Sequence, residues 1–208
     1  MTSYVVVAGA AEALIEVRRS RFLCRLERVA TEPAARAVVE RARKDHWDAR
    51  HHCSAFVLGP AGEVARSSDD GEPAGTAGAP MLEVLRGAGV SDAVVVVTRW
   101  FGGVLLGAGG LARAYGDAVR AALDEVGRVE RRRFSLVEVA VAHGEVGRLE
   151  NDLRSRGVVV RGVQYAERAT LTLAVDPDAG VQGLLAELTS GTASAREVGQ
   201  DWVDLPRT

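Results

Sequence analysis

Apolar positions recur at two spacings along this chain, and the change from one to the other marks its elements. Leu14 and Val17 precede a charged break at Arg18-Arg19-Ser20-Arg21, after which Phe22, Cys24 and Leu26 alternate with Leu23, Arg25 and Glu27. That period of two predicts strand, turn and strand over residues 12–29. Thr31 is a good N-cap and Pro33 fits a first helical turn. A helix over 32–45 follows, with Ala35, Val38, Val39 and Ala42 on one face and Arg36, Glu40, Arg41, Arg43 and Lys44 on the other. Residues 52–58 read as a strand closed by Gly59-Pro60-Ala61-Gly62, and 63–67 as a short partner. Residues 81–87 form a short helix stopped at Gly87 or Gly89. Residues 93–98, nearly all valine, read as a strand buried on both faces. A helix over 109–126 has Leu111, Ala114, Tyr115, Ala118 and Ala122 on its apolar side.

The pattern restarts after Glu130-Arg131-Arg132-Arg133, a solvated charge run without an apolar anchor and so the expected domain boundary. Strand 134–142, helix 143–156, strands 158–165 and 169–175, helix 178–189 and strand 193–205 follow. This β-α-β-β-α-β order is the ferredoxin-like split arrangement. The chain is therefore expected to be α+β with two domains, 1–130 and 134–208.

Two stretches interrupt the periodic pattern. Residues 67–80, Ser-Ser-Asp-Asp-Gly-Glu-Pro-Ala-Gly-Thr-Ala-Gly-Ala-Pro, hold three acids, three glycines and two prolines but no large side chain. Such a segment buries little apolar surface, so it is expected to expose backbone and carboxylates on a packed scaffold. Residues 99–110, Arg-Trp-Phe-Gly-Gly-Val-Leu-Leu-Gly-Ala-Gly-Gly, are the second such stretch.

Composition changes this picture little. Of 208 residues, 47% are apolar and 26% charged, as in ordinary folded proteins. Residues 1–133 carry 19 Lys and Arg against 17 Asp and Glu, a net of +2, and residues 134–208 carry 7 against 11, a net of −4. Neither half is basic enough to announce nucleic acid by charge alone. Cys24 and Cys53 are too few for a disulfide framework. No run reaches membrane-span length, and the first residues lack the basic patch of a signal peptide, so a cytoplasmic location is expected.

The candidate chemistry lies in the irregular stretches. Asp69, Asp70 and Glu72 suit a divalent metal site or a general acid–base pair, but more often such a cluster is a turn whose aspartates bond nearby amides. Residues 102–110 suit an anion cradled by glycine amides at a helix start, and equally close backbone packing. Nucleotide motifs fail: Gly102 and Gly107 have the Walker spacing, but Ala108 and Gly109 stand where Lys and Ser/Thr are required. His51, His52 and Cys53 are successive and point alternately on a strand, which disfavours one shared metal; one histidine is expected toward the core or the groove and the other toward solvent. No cofactor or metal is expected.

Ser20-Arg21-Phe22, residues 48–53 (Asp-Ala-Arg-His-His-Cys), residues 68–78, Arg99-Trp100-Phe101-Gly102-Gly103 and residues 106–115 occur in this order. Together they strongly resemble the YigZ/IMPACT family, across about residues 12–127. Trp100 stands where that family usually has tyrosine. The resemblance implies a first domain similar to the second domain of ribosomal protein S5, a sheet with helices on one side, and a second domain similar to the last domain of elongation factor G. Eukaryotic members act in translation control: they bind the activator of a stress kinase and restrain that kinase, through parts outside the shared region. The resemblance carries no reaction over.

The expected site is one groove. Asp69, Asp70, Gly71, Glu72, Gly75, Thr76 and Gly78 form one wall. Arg99, Gly102, Gly103, Gly107, Gly109, Gly110, Arg113 and Tyr115 form the other, with His51 and His52 alongside. Arg18, Arg19 and Arg21 are the expected nucleic-acid contacts. These groups match no recognised catalytic motif, so the favoured expectation is a non-enzymatic protein binding RNA, the ribosome or a translation-associated protein. The alternative is an enzyme or a protein that binds a phosphorylated small ligand in the groove.

Overall fold

Val94, Val95, Val96 and Val97 leave no polar face, so a strand carrying them must be covered on both sides. In the computed structural model, which describes residues 2–206, that strand is central to the first of two units. This unit comprises β1 (Ser3–Val7), β2 (Ala11–Val17), β3 (Ser20–Arg28), α1 (Glu32–Asp45), β4 (His51–Leu58), β5 (Val64–Ser68), α2 (Gly78–Gly87), β6 (Ala93–Trp100) and α3 (Gly107–Glu125). Its antiparallel sheet runs in the order β2-β3-β6-β4-β5.

The valines divide by parity. Val95 and Val97 join Cys24, Cys53, Met81, Leu85, Leu111 and Tyr115 in a core beneath α2 and α3. Val94 and Val96 join Ala35, Val38, Ala42, Phe56 and Leu58 beneath α1. Helices therefore lie on both faces of the sheet, not on one as the resemblance implied. Full burial of each large apolar side chain is worth about 1.5–3 kcal/mol, so both cores bear on stability. The predicted elements recur with small shifts. Thr31 caps α1 by accepting from the Ala34 amide at 3.3 Å. β1 was not anticipated; its Val5 carbonyl accepts from the Ser91 amide at 2.9 Å.

The second unit holds most of β7 (Arg128–Val141), then α4 (Val146–Ser155), β8 (Val159–Tyr165), β9 (Ala169–Val175), α5 (Val181–Thr189) and most of β10 (Ala195–Pro206). These four strands run β10-β7-β9-β8, the ferredoxin-like order, with Val137, Val139, Leu171 and Leu173 packed against Leu149, Leu153 and Leu185. The charge run at 130–133 is not an irregular linker: it lies within β7, and the partition between units falls at 130/131. Acidic partners make this possible, with Arg132 3.2 Å from Asp176 and Arg131 3.6 Å from Asp204. No helix among the described residues is long and apolar enough to cross a membrane.

Candidate functional site

The acidic loop between β5 and α2 folds inward, against the expectation of exposed carboxylates. Asp69 accepts three main-chain N–H bonds, from Gly75 at 2.8 Å, Ala77 at 3.0 Å and Gly78 at 2.8 Å. It thereby caps α2, which starts at Gly78 rather than at the predicted Met81. Partial burial pushes the Asp69 carboxyl up, but the amides of Gly75, Gly78 and Ala77 outweigh it and hold the group below the usual aspartate range. Asp70 accepts from the His52 amide at 2.7 Å and from Arg43 at 2.9 Å, tying the loop to β4 and α1. The Thr76 hydroxyl donates to the Pro73 carbonyl at 2.7 Å. Gly71 and Gly75 have φ of +82° and +76°, in the region that favours glycine, and a Cβ on Gly78 would lie 2.8 Å from the Ser68 amide nitrogen.

Glu72 goes deepest. Its side chain is 3% exposed, and Oε1 accepts from Arg99 Nη1 at 2.6 Å and from the Tyr115 hydroxyl at 2.7 Å. The Cys53 thiol reaches the Asp69 carbonyl at 3.0 Å and the Tyr115 oxygen at 3.3 Å. Burial pushes the Cys53 thiol up to about 12 and the Tyr115 hydroxyl far above its ordinary value. Burial thus opposes ionisation of both groups, which disfavours Cys53 as a nucleophile. Thus all three candidate acids are engaged within the fold. Among the described residues no group of three His, Cys, Asp or Glu could hold a metal ion.

Register places the other wall. Arg99 on β6 pairs with Phe22 on β3 and with His51 on β4. Its guanidinium carbon lies 5.4 Å from the Phe22 ring centre and 5.7 Å from that of Phe101. A cavity of about 360 Å³ is lined by Arg50, His51, Glu72, Pro73, Arg99, Phe101, Leu105, Leu106, Gly107, Ala108 and Leu111. The structure thus brings Glu72 together with Arg99, Gly107 and His51. It leaves several expected residues elsewhere. Arg113 is exposed and does not line the cavity; Tyr115 is fully buried in the core; Asp69, Asp70, Thr76 and Gly78 support the loop. His52 is buried on the α1 face of β4, not in solvent, and desolvation lowers its pKa. Its Nε2 lies 3.2 Å from the His46 carbonyl.

The glycines of the second loop serve different ends. A Cβ on Gly102 would lie 2.1 Å from the Arg19 carbonyl group, so close packing excludes any side chain there. The Gly102 amide donates to Ser20 Oγ at 3.1 Å. Gly103 and Gly107 have φ of +84° and +72°, a Gly110 Cβ would meet Leu106, and Gly109 faces open space. Gly102 thus fixes the β2–β3 turn, where Arg18 and Arg19 both adopt positive φ as a tight hairpin requires. Arg21 stacks on Trp100 at 4.7 Å, and the Trp100 indole N–H donates to Asp48 at 2.8 Å.

Sequence reasoning left Arg50 and Leu105 out of the expected groove, though both line the cavity. For Leu105, a large apolar residue amid glycine-rich neighbours was the available signal.

The fold and cavity define a two-domain α+β protein whose first domain carries, among other hollows, a mixed polar and apolar cavity at the end of β6. Residues 18–123 match the Impact N-terminal domain, and residues 139–192 match the domain of unknown function DUF1949. The chain belongs to the IMPACT family. It is 40% identical to the IMPACT family member YvyE of Bacillus subtilis over 197 residues, covering 94% of this chain and 91% of that one. It is 46% identical to YigZ of Escherichia coli over 140 residues, covering 66% and 68%. A crystal structure of a hypothetical protein aligns with a TM-score of 0.64 at 34% identity, over 95% of this chain and 98% of the other.

Proposed function

We propose that this protein is a non-enzymatic RNA-binding protein of the translation apparatus, and that single-stranded RNA runs along the rim where the β2–β3 turn meets the loop after β6. One observation carries the reading: the contact of Gly102 with Arg19 and Ser20 holds the exposed Arg18-Arg19 turn against exposed Phe101. Arginines neutralise phosphates, and an aromatic face stacks a base without demanding a sequence. The engagement of Asp69, Asp70 and Glu72 inside the fold favours binding over catalysis. The translation link rests on the resemblance of both domains to domains of translation proteins.

The test is fluorescence anisotropy with an unstructured RNA of about 12 nucleotides, titrated against salt. Charge reversal at Arg18 and Arg19 together should weaken binding by at least about tenfold near 0.1 M salt and flatten the salt dependence. Phe101→Ala should cost about 1–3 kcal/mol of binding energy. Affinity unchanged in both variants defeats the reading.

A further inference from the structure

The cavity beside that rim holds positive charge of its own. The start of α3 is uncapped: Leu106 supplies no side-chain bond, and no acidic residue lies in the first turn. Gly107, Ala108 and Gly109 are exposed, so their amides and the positive end of the helix dipole are open to a ligand.

Independent of the helix, Arg99 lines the same cavity with a side chain only 7% exposed. Glu72 takes its Nη1, but its buried Nε has no hydrogen-bond partner. Buried N–H groups are nearly always satisfied, so Glu72 alone leaves this guanidinium incompletely paired. Arg50, also lining the cavity, is exposed and makes no ion pair among the described residues. His51 Nδ1 lies 2.9 Å from the Asp70 carbonyl oxygen, which can only accept, so Nδ1 donates there and the ring is held at the cavity wall. Glu72 is the one acid in the lining, and Arg99 already matches its charge. The surplus is positive.

We infer that this cavity binds a phosphate monoester carried on a nucleoside, the terminal phosphate of a single-stranded RNA. A monoester has nearly two negative charges at neutral pH, whereas an internal phosphodiester has one, so only the terminal group uses the helix start and Arg50 fully. The exposed ring of Phe101 at the cavity edge suits the attached base. The volume of about 360 Å³ is near the low end for ligand pockets and suits one terminal unit. The RNA reading supplies the body of this ligand, but the phosphate site stands on its own observations.

The test compares one RNA sequence ending in 5′-phosphate, 3′-phosphate or hydroxyls only, by anisotropy, on the full chain. The variants are Ala108→Asp and Arg50→Ala. An aspartate in the first turn favours the helix, so Ala108→Asp should fold while its carboxylate occupies the amides. One phosphorylated end should bind at least about tenfold more tightly than the hydroxyl-ended RNA. Both variants should erase that preference, weakening the phosphorylated RNA by clearly more than the hydroxyl-ended RNA, and a nucleoside monophosphate should compete it away. Equal affinity for all three RNAs, with charge reversal at Arg18 and Arg19 still weakening each, overturns the phosphate site and leaves the RNA reading standing. If no RNA binds, yet nucleoside monophosphate binds the wild type and not Ala108→Asp, the RNA reading falls and the phosphate site holds. Inorganic phosphate competing as well as the nucleoside monophosphate overturns the nucleoside part of the inference.

Discussion

Glu72 and Arg99, 27 positions apart in sequence, form a buried ion pair with 2.6 Å between Oε1 and Nη1. This bond pins the acidic loop to the end of β6 and so shapes the cavity. Desolvation offsets much of a buried pair's attraction, but removing one partner strands the other. Arg99→Met should therefore destabilise the protein by about 3–5 kcal/mol in urea denaturation. The double variant Arg99→Met with Glu72→Leu should lose clearly less than the sum of the two single losses. Additive losses would show that the pair is not coupled.

Two glycines of the second loop should respond oppositely to alanine. Gly102→Ala forces a Cβ to within 2.1 Å of the Arg19 carbonyl group, and backbone cannot yield cheaply. It should lower the melting temperature and displace the Arg18-Arg19 turn. Gly109 lies in the first turn of α3 and its Cβ would meet open space. Gly109→Ala should stabilise by about 0.4–1 kcal/mol by restricting the unfolded chain. A thermal melt of each variant decides the matter, and a drop for Gly109→Ala would contradict the open environment.

Much of the scaffold was legible because period and parity report burial. The alternation of Phe22, Cys24 and Leu26 gave β3, and the valine run gave a strand covered on both faces. The acidic loop was misread because its burial comes from Arg99 and Tyr115, far away in sequence, and local composition carries no trace of that pairing. The same holds for His52, which is buried by α1 through tertiary packing, and for the charge run at 130–133, whose acidic partners Asp176 and Asp204 lie more than 40 positions on. The groove's residue types were visible beforehand. Which of them line the cavity, and which only hold it up, depended on strand register.

Asp69 links the loop to acid stability. Its folded-state pKa is depressed, so its stabilising contribution is present above the unfolded aspartate value near 3.8 and is lost as pH falls through the lower folded value. Asp69→Asn removes the titrating charge while keeping an acceptor oxygen. It should cost about 1–2 kcal/mol at neutral pH, in the range of a lost helix cap. The gap between variant and wild type should narrow below about pH 4. Denaturant midpoints measured from pH 7 down to about pH 2.5 check this; a gap that stays constant rules out the carboxylate as the source.

The two thiols give a probe of local opening. Cys24 and Cys53 are both free and fully buried, and burial raises the pKa of each, that of Cys53 to about 12. Thiolate is the reactive form, so both should resist a disulfide reagent at pH 8 in the native protein and react at once in denaturant. Cys24 is held by the sheet core beneath α3, whereas Cys53 depends on the acidic loop through the Asp69 carbonyl. Tyr115→Phe keeps the ring that packs edge-to-face on Phe22 at 5.2 Å but removes the hydroxyl that bonds Glu72 and receives the Cys53 thiol. It should speed labelling of Cys53 by about tenfold or more while leaving Cys24 protected, the signature of loop opening without global unfolding. Equal acceleration at both cysteines would instead assign the hydroxyl to overall stability.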